Sequence, residues 1–175
     1  MRDGAGGHAP GHLLQLGSRP ADIAIHFLRD GTAIGQPCFL IATGDVLDRY
    51  IEALEKEVKE ELDEARRSGF FAMAPAPGRT VEEALAFWDE RISAALSGGG
   101  PTIVRIVGDM ARVKTSFASV HQTLIFESVV SSIIKQSPTV AVCQYHVREF
   151  DGPALLEAIK TDPDVSDLGF VKFAS

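Results

Sequence analysis

Residues 37–43, with the sequence PCFLIAT, form a continuous apolar run of the length of one β-strand. Two further runs are predicted to be strands: residues 102–107 (TIVRIV), whose apolar pattern Arg105 interrupts, and residues 139–147 (TVAVCQYHV). Runs of this kind are typical of strands that are buried on both faces, as in parallel sheets. The three runs therefore predict the centre of a parallel sheet that helices cover on both sides.

The segments between these runs have the length and periodicity of helices. The first helix is predicted from Ser18-Arg19-Pro20 to a C-cap at Gly31. Another begins at a capping box formed by Thr80 and Glu83 and ends at residue 97. Further helices are predicted over residues 45–68, over residues 120–136 and after residues 151–153. Weaker strands are predicted over 12–16, 70–74 and 168–173. The alternation predicts a three-layer α/β/α fold with a mostly parallel central sheet of about six strands.

Composition sets the domain count and excludes several classes of protein. The 175 residues are 45% hydrophobic and 23% charged, which excludes wholesale disorder and fits one domain. We expect residues 1–11 to be a flexible tail and residues 12–175 to form a single domain. No apolar run spans a membrane and the N-terminus lacks a signal peptide, so we expect a cytoplasmic protein. The net charge of −7 argues against direct nucleic-acid binding.

Motifs for nucleotide hydrolysis and several other chemistries are missing. Residues 17–23 (GSRPADI) follow the first predicted strand, where a phosphate loop GxxxxGK[ST] would lie, but they lack its second glycine and its lysine. The sequence also contains no GxGxxG, no GxSxG elbow and no metal-ligand spacing. We therefore predict no catalytic residues, no metal, no cofactor and no ATPase activity.

Ligands of parallel α/β sheets bind beyond the carboxyl ends of the strands, so the residues there are the candidate site. Gly108 follows TIVRIV and permits close backbone approach, Asp109 supplies a carboxylate, and Met110 supplies an adaptable apolar wall. The connection 108–119 is longer than a minimal loop and is predicted to act as a lid.

Four further residues complete the predicted ligand site. Arg112 lies on the same connection, and Tyr145 and His146 end the neighbouring strand. Arg19, at the degenerate phosphate turn, offers a cation to an anionic ligand. The competing interpretation is that Asp109 only neutralises a charge and that the connection packs as ordinary surface.

Arg105 interrupts a strand that otherwise has a buried pattern. A buried guanidinium needs a carboxylate partner, and the candidates are Glu127, at the border of an apolar helix face, and Asp109. We favour a structural ion pair of Arg105 with Glu127 over a functional role for this arginine.

Several segments together resemble one known family, the MEDS sensory domains, which are named for methanogens, methylotrophs and a dichloromethane-responsive regulator. The segments are His12-Leu13-Leu14, Phe87-Trp88, RIVGDM over 105–110, Phe126-Glu127, and residues 143–163 (CQYHVREFDGPALLEAIKTDP). The resemblance covers nearly the whole chain. It implies a degenerate relative of RecA- and KaiC-type ATPase domains that has lost the phosphate loop and has a sensory or ligand-binding role in signalling.

The sequence departs from the family pattern at two places. Residues 108–112 read GDMAR where GEM followed by Ser or Thr and Trp is expected, and residues 143–146 read CQYH where CQYD is expected. These changes favour a more basic pocket edge, formed by Arg112, Lys114 and His146.

Two functions from different classes follow from these observations. The first is a non-catalytic sensor that binds a small molecule at the strand ends and passes the signal to a separate regulatory partner. The second is a pseudo-ATPase interaction module that binds a kinase, an anti-sigma factor or a transcription regulator without a small-molecule ligand. In either case we predict a homodimer, because the helices 45–68 and 120–136 carry more apolar residues than one sheet face needs.

Overall fold

A computed structural model describes residues 20–42, 44–74, 78–97, 103–145, 152–153, 156, 165–166 and 171–174. The helices are α1 (Pro20–Ala33), α2 (Gly44–Glu57), α3 (Lys59–Ser68), α4 (Val81–Ser97), α5 (Met110–Ser116) and α6 (Val120–Lys135). The strands are β1 (Cys38–Ile41), β2 (Phe71–Ala74), β3 (Val104–Asp109), β4 (Thr139–Gln144), β5 (Val165–Ser166) and β6 (Val171–Ala174).

The strands form one six-stranded sheet in the order β2-β1-β3-β4-β6-β5. The first four strands in this order are parallel, β6 is antiparallel to β4, and β5 is antiparallel to β6. The structure therefore confirms the α/β class and the mostly parallel sheet. The antiparallel edge was not predicted, and the predicted tail over 1–11 and first strand over 12–16 lie outside the described residues.

Helices cover both faces of the sheet, and each face has its own hydrophobic core. Helices α1, α2 and α3 pack on one face, which we call the α1 face, and α4, α5 and α6 pack on the other, which we call the α4 face. Side chains of a strand alternate between faces, so Val107 of β3 joins the first core whereas Val104 and Ile106 join the second. The result is the predicted three-layer arrangement.

The predicted start of α4 is confirmed in its hydrogen bonds. The Glu83 amide donates to Thr80 Oγ1 at 3.2 Å, and Glu83 Oε2 accepts from the Arg79 amide at 2.9 Å. In the usual capping box the Glu83 carboxylate would accept from the amide of the capping residue, Thr80, whereas here it accepts from the amide of Arg79, one residue earlier. Both interactions still satisfy amides at the helix N-terminus.

The single helix predicted over 45–68 is divided into α2 and α3. The backbone leaves the helical region at Val58, where φ is −140° and ψ is 45°. Both Leu54 and Leu62, on either side of this break, are fully buried in the core of the α1 face. The bend therefore keeps one apolar stripe against the sheet over the whole segment.

The connection 108–119, which we predicted from sequence as a long lid without a helix of its own, contains α5. Helix α5 begins directly after β3, and Met110, Val113 and Phe117 are all at least 93% buried on the α4 face. Their spacing of three and four residues is a helical signal that the polar residues between them obscured.

Gly31 does not end α1, which continues to Ala33. The turn after the helix instead contains Gly35, which has a φ of +70° that glycine adopts without strain. Gly31 lies inside the helix, where an added Cβ would be 2.4 Å from Arg105 Cδ. Its role is therefore close packing of α1 against the sheet.

Two further observations concern membrane-spanning helices and the cysteines. None of the helices in the described ranges is both long and apolar enough to cross a membrane. Cys38 and Cys143 are free thiols, the first buried and the second partly buried, as their positions in apolar strands predicted.

Candidate ligand site at the carboxyl ends of the central strands

The carboxyl ends of β3 and β4 bring two polar side chains into the interior of the protein. The ladder between these strands pairs Asp109 with Gln144. Asp109 is 2% exposed and Gln144 is 6% exposed. Asp109 follows Val107 by two residues, and Gln144 follows Val142 by two. Side chains two residues apart on a strand point to the same face, so both polar side chains lie on the α1 face with these valines.

Tyr50 of α2 completes this arrangement. The residue is 2% exposed, and its hydroxyl donates a hydrogen bond to Gln144 Oε1. Tyr50, Asp109 and Gln144 form what we call the polar cluster. Burying such groups costs free energy unless they are hydrogen-bonded, and the Tyr50–Gln144 bond offsets part of that cost.

The environment of Tyr50 favours its neutral form. Burial of the phenol raises its pKa well above the usual value of about 10, and the nearby charge of Asp109 raises it further. The phenol is therefore a hydrogen-bond donor throughout the physiological pH range.

We expect the free energy of unfolding to fall as the pH rises above about 10. In the unfolded chain Tyr50 ionises near pH 10, whereas in the folded protein it keeps its proton to higher pH. The unfolded state then binds fewer protons, so stability decreases with pH, at up to about 1.4 kcal/mol per pH unit for this group. Urea unfolding of the wild type and of Tyr50→Phe between neutral pH and pH 11 measures the effect.

The Tyr50→Phe variant is the reference for this measurement, because it lacks the hydrogen bond at every pH and has no phenol at position 50 to ionise. The difference in stability between the wild type and this variant should shrink as the pH rises. A difference that stays constant through pH 11 would contradict the raised pKa.

Three of the predicted site residues lie on the α4 face. Met110 is 3% exposed and belongs to the core of that face, and Tyr145 is partly buried and packs against the same core. Gly108 of β3 lies beside Met110, and an added Cβ would be 3.6 Å from Met110 Sδ, an ordinary contact. The predicted set is thus divided between the two faces of the sheet.

The family model for "MEthanogen/methylotroph, DcmR Sensory domain" (MEDS) matches residues 18–163, which is most of the chain. The chain belongs to the MEDS family. This result confirms the resemblance drawn from the sequence and assigns the strand ends described above to a sensory domain.

One curated relative of this MEDS domain is the transcriptional repressor DcmR of Methylorubrum extorquens. The two proteins are 28% identical over 157 residues, which cover 87% of this chain and 58% of the repressor. The MEDS chain therefore spans less than two thirds of the relative's length. No solved structure matches it.

The remaining predicted ligand residues have limited descriptions. Arg112 lies within α5, but its side chain is outside the described part of the structure. Arg19 and His146 are also outside it. Their roles in the MEDS domain remain predictions.

The structure does not bring Arg105 and Glu127 together. Arg105 faces α1: its Nε donates to Gln36 Oε1 at 2.6 Å, its Nη1 donates to the Phe27 carbonyl at 2.9 Å, and its guanidinium lies 4.7 Å from the Phe27 ring centre. Glu127 is buried on α6, which packs on the α4 face. The alternation of side chains along β3 explains the separation. Val104 and Ile106 point to the α4 face, where Glu127 lies, so Arg105 between them points to the α1 face.

A small cavity lies beside the carboxyl ends of β1 and β2. Its volume is about 10 Å³, and its lining includes Ile41, Ala74, Phe87 and Trp88. Trp88 is 2% exposed, and its Nε1–H has no hydrogen-bond acceptor among the residues that the structure describes. Trp88 also lies 6.1 Å from Phe39, measured between ring centres. This indole is therefore placed to report on changes at the strand ends.

Sequence reasoning missed Tyr50, Gln144 and Trp88 as site residues. Tyr50 and Trp88 lie in helical apolar stripes, where an aromatic residue normally indicates core. Gln144 was the better signal, because it is an uncharged polar residue at an inward position of a strand that is otherwise apolar. Within the described residues, no group of three His, Cys, Asp or Glu side chains could hold a metal ion.

Proposed function

We propose that this MEDS domain is a non-catalytic sensor that binds a small molecule at the carboxyl ends of its central strands and passes the signal to a separate regulatory partner. The observation that carries the proposal is the buried polar cluster of Tyr50, Asp109 and Gln144 at this edge of the sheet. The edge is where ligands of parallel α/β sheets bind. Membership of a sensory family supports the same function.

The polar cluster fits a ligand that presents hydrogen-bonding groups to the strand ends. Asp109 is a carboxylate acceptor and Gln144 carries both an acceptor and donors. Arg19, Arg112, Tyr145 and His146 complete the proposed ligand site, together with the backbone at Gly108 and the apolar wall of Met110. A site of this composition recognises a ligand with a polar end and an apolar body.

The connection from β3 to α6 offers a route for the signal. Asp109 ends β3 and the next residue, Met110, begins α5, so a displacement at the strand end moves this helix directly. Phe117, after α5, packs against Phe126 of α6 with their ring centres 5.2 Å apart. The ligand site is thereby connected to α6 through packed side chains.

The outer side of α6 supports the proposed homodimer. Ile125 and Val129 lie one turn apart on this helix and are 42% and 36% exposed. Exposed apolar residues grouped on one helix are typical of surfaces that associate, and two-fold dimers are the commonest oligomers. We propose that two copies meet through α6.

The second candidate function is the pseudo-ATPase interaction module without a small-molecule ligand. The exposed apolar residues of α6 favour it as well, since they fit a kinase, an anti-sigma factor or a transcription regulator. The two functions differ in the ligand, which only the sensor requires.

Location and partners follow from the relative and from charge. Because one relative is a transcriptional repressor, we propose that this MEDS chain works in the cytoplasm with a transcription regulator as its partner. The net charge of −7 supports indirect action, without contact between this chain and DNA.

Native mass spectrometry of the purified protein tests the sensor function and the dimer together. We expect a dimer mass that carries a non-covalently bound small molecule, which collisional activation releases. The single tryptophan, Trp88, then allows a titration of the stripped protein with the released compound, followed by fluorescence. A monomer mass would contradict the dimer. A dimer with no adduct, and no change in Trp88 emission with cell-extract metabolite fractions, would favour the interaction module.

A further inference from the structure

A groove lies at the end of the sheet opposite the polar cluster, between the end of α1 and α3. Its volume is about 420 Å³. Its lining consists of Thr32, Ala33, Gly35, Glu60, Glu61, Glu64, Ala65, Ser68 and Phe70. Gly35 shortly precedes β1 and Phe70 directly precedes β2, which places the groove at the amino ends of the strands.

The lining contains acidic groups and no basic side chain. Glu60, Glu61 and Glu64 are exposed along α3. Glu64 pairs with Arg67 at 2.5 Å, whereas Glu60 and Glu61 form no ion pair with any residue in the described ranges. Glu60 and Glu61 lie in the first turn of α3, where the helix N-terminus favours acidic side chains, and both carboxylates are open to a cationic partner.

The end of α1 adds to the negative potential. The last turn of this helix contains no basic residue, and its carbonyl ends point toward the turn that contains Gly35. The C-terminus of a helix carries a partial negative charge that attracts cations. Two separate elements, α3 and α1, thus favour a positively charged occupant.

The floor of the groove is apolar, and an exposed apolar residue lies in the turn beside it. Ala65 is buried and Phe70 is partly buried in the floor. Ile34, in the turn that follows α1, is 66% exposed, which is the largest exposure among the big hydrophobic residues described. An occupant that covers both the floor and Ile34 needs apolar as well as basic groups.

We propose that this groove docks a basic, amphipathic segment of the regulatory partner. The charge of the rim requires lysine or arginine in that segment, and Phe70 with Ile34 requires apolar residues between them. A protein segment fits better than a small cation because the glutamates lie on the open rim, whereas small-molecule pockets enclose most of their ligand. The assignment rests on the proposed function only in naming the regulatory partner as the owner of the segment.

The position of the groove has a functional consequence. Its distance from the polar cluster along the strands lets ligand and partner bind at the same time. Helix α1 spans between the two ends of the sheet on one face, so a shift of this helix is available to connect them. The groove is thus an output surface separate from the sensory site.

The test measures fluorescence anisotropy of a labelled synthetic peptide of alternating lysine and leucine clusters, with no small molecule present. The groove variant carries Glu60→Gln and Glu61→Gln. The matched control carries Glu82→Gln and Glu90→Gln, which remove the same charge from exposed positions of α4. We expect the peptide Kd to rise about fivefold in the groove variant and to change less than about twofold in the control.

Further arms address the apolar part and the nature of the occupant. Ile34→Ser should weaken the peptide, and a companion peptide with serine in place of leucine should bind more weakly to the wild type. Equal weakening by both pairs of glutamate variants would overturn the proposal, because it would show only general attraction to an acidic protein. If spermidine displaces the peptide with a Kd as low as that of the peptide itself, the proposal is overturned in favour of a small-cation site. The native mass spectrum reports on the ligand independently, so the two proposals fail separately.

Discussion

Replacing Gly31 with valine is expected to lower the free energy of unfolding by about 3 kcal/mol, the upper end of what overpacking usually costs. Gly31 lies in α1 where this helix crosses β1 and β3. A Cβ at this position would be 2.4 Å from Arg105 Cδ and 2.8 Å from Cys38 Sγ. Real Cβ atoms do not approach other atoms so closely, so α1 or its neighbours must move.

The neighbours of Gly31 are held in place from several sides. Arg105 donates hydrogen bonds to Gln36 and to the Phe27 carbonyl, and its guanidinium stacks over the Phe27 ring. Cys38 is fully buried in the adjacent strand. A shift of either residue breaks these contacts, so the structure cannot relieve the overlap without a further loss of stability.

Ala33→Val on the same helix is the matched control. Ala33 is exposed, so this change introduces the same side chain without the contacts and should cost only about 0.5 kcal/mol through helix propensity. Urea unfolding followed by circular dichroism gives both values. If Gly31→Val were no more destabilising than Ala33→Val, the close packing of α1 against β3 would be wrong.

The sequence allowed the central strands to be predicted because their signal is local. The runs that contain β1, β3 and β4 are mostly apolar, and they end at recognisable turn residues. Burial on both faces produces such a run wherever the strand lies in the fold. Prediction of the mostly parallel sheet required no knowledge of how the helices cross it.

Gly31 and α5 could not be predicted in the same way. A glycine near a helix end has the same sequence signal whether it caps the helix or allows close packing. The difference depends on where α1 crosses β3, which tertiary structure alone determines. Helix α5 was missed because Met110 and Val113 are the only buried residues among those of its side chains that the structure describes, too few to reveal a helical period.

The candidate site was predicted in part for a related reason. The rule that ligands bind at strand ends selected Asp109, because it follows an obvious strand. It did not select Tyr50, which comes from α2 on a different part of the chain. The register of β3 with β4 and the position of α2 bring Tyr50 to Gln144, and neither is encoded in a short motif.

Asp109→Asn is expected to weaken binding of the co-purifying small molecule by about 10- to 100-fold, since hydrogen bonds to charged groups contribute about 1.5–3 kcal/mol. The substitution keeps the size of the side chain and removes its charge. The same variant should lower the pKa of Tyr50, because the charge of Asp109 helps to raise it. Trp88 fluorescence measures the binding, and ultraviolet titration of the phenols measures the pKa.

Tyr145→Ala and Arg112→Ala extend the test to the other predicted site residues, and Ser131→Ala is the control. Ser131 is 6% exposed on α6, so its loss affects a buried polar group away from the strand ends. Binding is compared among variants at equal folded fraction, which separates ligand contacts from general destabilisation. If Asp109→Asn, Arg112→Ala and Tyr145→Ala lower stability without changing the affinity, these residues are scaffold and the ligand site lies elsewhere. A lower pKa for Tyr50 in Asp109→Asn with unchanged affinity would confirm the polar cluster and still exclude it from ligand binding.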